Sequence, residues 1–190
     1  DQLGSKTTAI GYRALGTQRF TTATNSHSTA VGADAGLEIT TGLEDTLLGS
    51  AAGDALTVGS YNVALGSFAL SADTAGSQNV AVGRGALLTQ NFTTATVSLN
   101  TAVGMHAGNA VTTGVQNVLI GGLAGDALTD ADYNVAIGKD ALGTDTLGSQ
   151  SVAIGQGALR DQNFTTATNA LNVAVGMDAG LKVTTGVNNT

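Results

Sequence analysis

Asn134-Val135-Ala136-Ile137-Gly138-Lys139-Asp140-Ala141 is one copy of a block that recurs along this 190-residue chain. Asn62-Val63-Ala64-Leu65-Gly66 and Ser151-Val152-Ala153-Ile154-Gly155 repeat its first half. The block's glycine falls at Gly11, Gly32, Gly49, Gly66, Gly83, Gly104, Gly121, Gly138, Gly155 and Gly176. Successive markers differ in number by 21, 17, 17 and 17, and the pattern then starts again, so the superperiod is 72. Each long interval carries the same insertion: Phe20-Thr21-Thr22-Ala23-Thr24, Phe92-Thr93-Thr94-Ala95-Thr96 and Phe164-Thr165-Thr166-Ala167-Thr168. Residues 1–190 therefore read as a single repeat array, quasi-one-dimensional and stabilised repeat on repeat. The array is expected to be cut within a repeat at both ends, because Asp1–Ile10 matches Asp145–Ile154 and Asn189-Thr190 opens a further block.

The residue before each marker glycine is aliphatic, from Ile10 to Val175, and Ala follows three residues after it, from Ala14 to Ala179. Short β-branched stretches closed by glycine read as strands. A helix of period 3.6 would carry a costly glycine in every repeat. Halfway round the shorter repeats stands Thr40, Thr57, Thr74, Thr112, Thr129, Thr146 or Thr184, usually with a second glycine two residues on. That pattern predicts strand, turn, strand, turn in every coil. The fold class is all-β: a parallel β-solenoid of ten coils in two lengths, 17 and 21, each strand paired with its equivalent one repeat away. At a strand spacing of about 4.8 Å the rod would be on the order of 50 Å long.

Composition fits that reading. The chain holds 27 Gly and no Pro; glycine serves the reversals, and proline would delete a ladder hydrogen bond. Asn62, Asn79, Asn100, Asn117, Asn134 and Asn172 are expected to serve turn chemistry first, with an amide ladder along the rod as a second role. The strand Val-Ala-Ile is apolar on both faces, whereas a strand with one face in water should alternate apolar and polar. The small Ala face is therefore expected to pack against another copy of the chain under cyclic symmetry.

These blocks, together with Thr8-Ala9-Ile10-Gly11-Tyr12-Arg13-Ala14-Leu15, resemble the YadA-like head repeat of trimeric autotransporter adhesins and similar repeats of phage tail fibres and other surface fibres. The resemblance implies a left-handed parallel β-roll, three identical chains side by side, and an extracellular place on a cell or virion. It also implies attachment, to a host-surface glycan or a matrix protein. Adhesin heads typically use a shorter coil, and no binding residue carries over to a position here.

Other classes are excluded by composition. A hydrophobic content of 42% argues against a disordered tail. The absence of Cys removes disulfides, thiol nucleophiles and thiolate zinc sites. A net charge of −7 without a basic stripe offers nucleic acid no phosphate-binding face. No apolar run is long enough for a membrane-spanning helix, and no basic segment followed by an apolar stretch marks a signal peptide at the start.

Catalytic patterns are missing too, so the chain is expected to be non-enzymatic and free of cofactor or metal. His27 is replaced by Leu99 and Leu171 in equivalent coils, and His106 by Asp34 and Asp178. Both histidines read as surface residues. Asp126, Asp130 and Asp132 resemble a calcium turn, but Val58 and Ser60 replace the last two one superperiod earlier. Candidate ligand contacts are the aromatics Phe20, Phe92, Phe164, Tyr61 and Tyr133, since carbohydrate stacks on exposed rings. The phenylalanines have a second reading, as filling for the wider long coil. Asn91-Phe92-Thr93 and Asn163-Phe164-Thr165 match the glycosylation sequon. The expected function is a structural or adhesive segment of an extracellular or virion fibre. Alternatives are a Thr-faced ice-binding solenoid and a polysaccharide-binding or -degrading tail spike.

Overall fold

The computed structural model describes residues 3–190; Asp1, from which the match of Asp1–Ile10 to Asp145–Ile154 is counted, lies outside them. The described residues form sixteen short strands and no helix. In chain order they are β1 (Gly4–Ser5), β2 (Thr8–Ile10), β3 (Thr24–Asn25), β4 (Thr29–Val31), β5 (Thr46–Leu48), β6 (Val63–Leu65), β7 (Gly76–Ser77) and β8 (Val80–Val82). β9 (Thr96–Val97), β10 (Thr101–Val103), β11 (Val118–Ile120), β12 (Val135–Ile137), β13 (Gly148–Ser149), β14 (Val152–Ile154), β15 (Thr168–Asn169) and β16 (Val173–Val175) complete the set. The three-residue strands form one ten-stranded sheet whose spatial order is their chain order, from β2 to β16. Every pairing is parallel and joins equivalent residues: Val118 faces Val135, Val135 faces Val152, and across a longer interval Val80 faces Thr101. The chain is a parallel β-solenoid of about ten turns.

The marker glycine makes this stacking possible. Gly66 has φ +135°, a conformation that L side chains rarely adopt. A Cβ there would also lie 2.6 Å from the Gly83 carbonyl oxygen of the next turn. Glycine is thus needed both for the corner and for the close approach of successive turns. The chain then closes tightly, with the Ala69 amide donating to the Gly66 carbonyl at 3.2 Å. Leu70 follows in the left-handed region at φ +55°.

The two faces of the sheet are the reverse of the expected arrangement. The central alanines, among them Ala64, Ala81, Ala136 and Ala153, are completely buried inside the solenoid, and the flanking Val, Ile and Leu face outward. The narrow interior dictates this. Ala at the strand centre shares it with a leucine from the turn, such as Leu70, Leu87, Leu142 or Leu159. Where Leu47 or Leu119 holds the centre, glycine stands at the leucine's turn position. A Cβ on Gly108 or on Gly125 would come within 2.7 Å of a Leu119 methyl. Leucine and glycine exchange places so that the interior stays filled.

The second strand expected in every coil does not form in every coil of the described residues. Only the two-residue ladders β1–β3, β7–β9 and β13–β15 form, each beside a long interval. Thr57, Thr129 and their equivalents lie outside any strand. Left-handed residues recur near them, at Glu44 (φ +56°), Tyr61 (φ +62°) and Gln116 (φ +57°), and leave too little extended chain for continuous pairing.

Candidate functional site

The outer face of the ten-stranded sheet is a repeating surface that runs the length of the sheet. Along each strand the first and third residues point outward. They give two columns of Val, Ile and Leu, interrupted only by Thr8, Thr29, Thr46 and Thr101 and carrying no charge. Leu48 keeps 50% of its surface exposed and Ile120 keeps 37%. Ten strands about 4.8 Å apart make the stripe roughly 45 Å long and two side chains wide, a footprint on the order of 400 Å². A typical monomer's largest apolar patch is of about that scale, and such patches are often functional.

Inside, a polar spine runs parallel to this stripe. Asn62, Asn79, Asn100, Asn117, Asn134 and Asn172 are fully buried. The backbone amide of each following turn donates to the preceding Oδ1: Asn79 to Asn62 at 3.0 Å, Asn117 to Asn100 at 2.9 Å, Asn134 to Asn117 at 3.0 Å. Nδ2 crosses the interior to a turn carbonyl, from Asn62 to Gly76 at 3.1 Å and from Asn117 to Ala131 at 2.8 Å. The ladder is therefore the asparagine's role, and the turn reading is corrected. The left-handed corner falls one residue earlier, on Tyr61, Gln78, Gln116 and Tyr133.

A second buried network holds the long intervals, and nothing in the sequence reading anticipated it. Asp73 Oδ1 accepts the amides of Gly76 (3.0 Å) and Phe92 (3.1 Å), and its Oδ2 accepts Gln90 Nε2 at 2.6 Å. Gln90 Oε1 in turn accepts Asn100 Nδ2 at 2.8 Å. Asp145, Gln162, Phe164 and Asn172 repeat the arrangement. Burial pushes the Asp73 carboxyl above its ordinary range, against the pull of these donors. A readable signal existed. Leu at the fourth position after the marker glycine always comes with Asp or Gln three residues later, as in Leu70/Asp73, Leu87/Gln90, Leu142/Asp145 and Leu159/Gln162.

The candidate aromatics separate into two groups. Phe20 and Phe92 keep 7% exposure and Phe164 keeps 6%. They fill the wide turns and present no ring face for stacking a sugar. Tyr61 and Tyr133, at 51% and 50%, remain open at the corners. The threonine rank spends its hydroxyls along the rod: Thr57 Oγ1 donates to the Thr74 carbonyl at 2.8 Å and Thr129 Oγ1 to the Thr146 carbonyl at 2.9 Å.

His27 is exposed, and His106 Nε2 meets Arg84 Nη1 at 2.8 Å. The acidic turn does not gather its carboxylates. Asp130 accepts the Thr113 hydroxyl at 2.7 Å and Asp132 accepts the Val115 amide at 2.8 Å, each bracing a different stretch of chain. Among the described residues no three metal-ligating side chains converge. No helix of the described residues is long and apolar enough to cross a membrane. No known protein family, curated protein or solved structure matches this chain.

Proposed function

We propose that this chain is a non-catalytic structural segment of an extracellular or virion-surface fibre, built of coils in two lengths, 17 and 21. It associates side by side with further copies of itself and serves as a stiff stalk or head for attachment. The uncharged double column along all ten strands, Val, Ile or Leu except at Thr8, Thr29, Thr46 and Thr101, carries this reading. A surface that repeats with the backbone matches the same surface on another copy along its whole length. Dispersed polar patches would not. The corner tyrosines Tyr61 and Tyr133 offer rings to a glycan about 19 Å apart along the rod, four strand spacings. The resemblance to trimeric adhesin heads supplies the number three and the left hand.

Light scattering coupled to size exclusion tests the reading directly. The expected mass is three chains, and a monomer at micromolar concentration would refute it. Val135→Lys with Ile137→Lys places two charges on the outer stripe and should dissociate the assembly while the β signature in circular dichroism persists. Thermal hysteresis in a freezing assay would replace the fibre reading with ice binding. Sugar release from capsule or lipopolysaccharide would replace it with a tail spike.

A further inference from the structure

Ser28, Asp45 and Ser151 interrupt the buried asparagine spine, and of these Asp45 alone brings a carboxyl to it. Asp45 stands where Asn117 and Asn189 stand one and two superperiods later. It is completely buried, as Asn117 is. Its Oδ1 does what an asparagine Oδ1 does, accepting the Asn62 amide at 2.9 Å and Asn62 Nδ2 at 3.1 Å. The other carboxyl oxygen, Oδ2, occupies the place of Nδ2 and has no hydrogen-bond partner. At Asn117 that place is a donor, spent on the Ala131 carbonyl at 2.8 Å. The carbonyl equivalent to Ala131 across from Asp45 belongs to Gly59. An ionised carboxylate thus offers a lone pair where the asparagines of the spine offer an N–H. A carboxylic acid offers O–H and restores the pattern.

Among the described residues no ion pair is made with Asp45. Ser28 stacks from the preceding turn, where its Oγ accepts the Asp45 amide at 3.3 Å, and Asn62 stacks from the following one. Ile39 and Gly42 lie on the interior side. The ionisable residues of the adjoining corner, His27, Glu44 and Tyr61, all face solvent. From this geometry we infer that Asp45 is a proton-binding position of the spine. It takes a proton on Oδ2 and donates it toward the Gly59 carbonyl, so that this turn closes fully in acid and loosens toward neutral pH.

Burial raises the Asp45 carboxyl from 3.8 to about 7. The folded turn therefore holds a proton that the unfolded chain releases anywhere between those values. Stability is complete below the lower value, falls as pH rises through the window, and is level above it.

The test is amide exchange at Asn62 in the intact chain, corrected for the intrinsic rate and followed from pH 4 to pH 8. The opening constant is expected to rise about tenfold per pH unit across the window. Asp45→Asn should remove that slope, and Asn117→Asp should create it at the Asn134 amide. A flat profile in the unmodified chain would overturn the inference, as would a slope that survives Asp45→Asn. The carboxyl carbon of Asp45 gives an independent reading by NMR. A midpoint near its ordinary value would overturn the inference even if either variant failed to fold.

Discussion

Gly121 and Gly122 are neighbours in sequence, yet a single methyl group should have opposite effects on them. Gly121 is a marker glycine with φ +134°, and a Cβ there would lie 2.6 Å from both the carbon and the oxygen of the Gly138 carbonyl. Backbone strain of this kind costs about 1–3 kcal/mol in an L residue. Relieving the overlap separates two turns and weakens the bonds from the Gly121 amide to Val103 (2.8 Å) and from the Gly138 amide to Ile120 (2.7 Å). Each such bond is worth about 0.5–1.5 kcal/mol. Gly121→Ala is thus expected to destabilise by about 2–6 kcal/mol. At Gly122 the nearest atom to an added Cβ is the Met105 oxygen at 3.9 Å, with ordinary backbone geometry. Gly122→Ala should be neutral or stabilise by about 0.4–1 kcal/mol, by restricting the unfolded chain. Urea titration followed by circular dichroism reads both, and amide exchange at residues 121 and 138 localises the damage. Equal losses in the two variants would refute the claim that stacking distance sets the glycine pattern.

Three further substitutions probe the interior. Leu119→Ala leaves a void between Gly108 and Gly125 that neither glycine can fill, so a loss of about 2–5 kcal/mol in urea denaturation is expected. Asp73→Asn sets an N–H₂ against the Gln90 amide that Asp73 now accepts, which should cost about 1–3 kcal/mol. Faster exchange at the Phe92 amide would report it, and an unchanged rate would remove Asp73 from the clamp. Thr129→Val removes the hydroxyl bond to the Thr146 carbonyl, and a drop of about 0.5–1.5 kcal/mol in unfolding free energy is expected.

Glycine spacing made the architecture legible because one backbone requirement recurs in every turn. Gly66 and its equivalents mark where the chain must turn and touch the next turn, so their intervals foretell the strand register, as in the pairing of Val63 with Val80. Side-chain direction was harder to read. Val-Ala-Ile is apolar throughout, and only the width of the interior decides that Ala64 goes in and Val63 and Leu65 go out. The corner residues escape sequence reading for another reason. Glu44, Tyr61, Gln78 and Leu99 share a left-handed backbone but no chemistry, because the ladder on either side fixes the conformation. Asp73 and Gln90 were hidden by the sound prior that charged and amide side chains face water. Their burial follows from pairing across turns, which becomes visible only once the superperiod is used to compare turns with one another.

That superperiod also makes the length of the rod a heritable variable. Strand pairing joins each turn only to its equivalents on either side, and the same tetrad of turns returns with every superperiod. Excising residues 63–134 would join Asn62 directly to Val135, a junction identical in kind to the Asn62-Val63 it replaces. Every remaining turn would meet a neighbour of the type it already has, and the rod would shorten by four strand spacings, about 19 Å. Deletion or duplication of whole superperiods would therefore trim or lengthen the rod in whole steps, each of which still stacks.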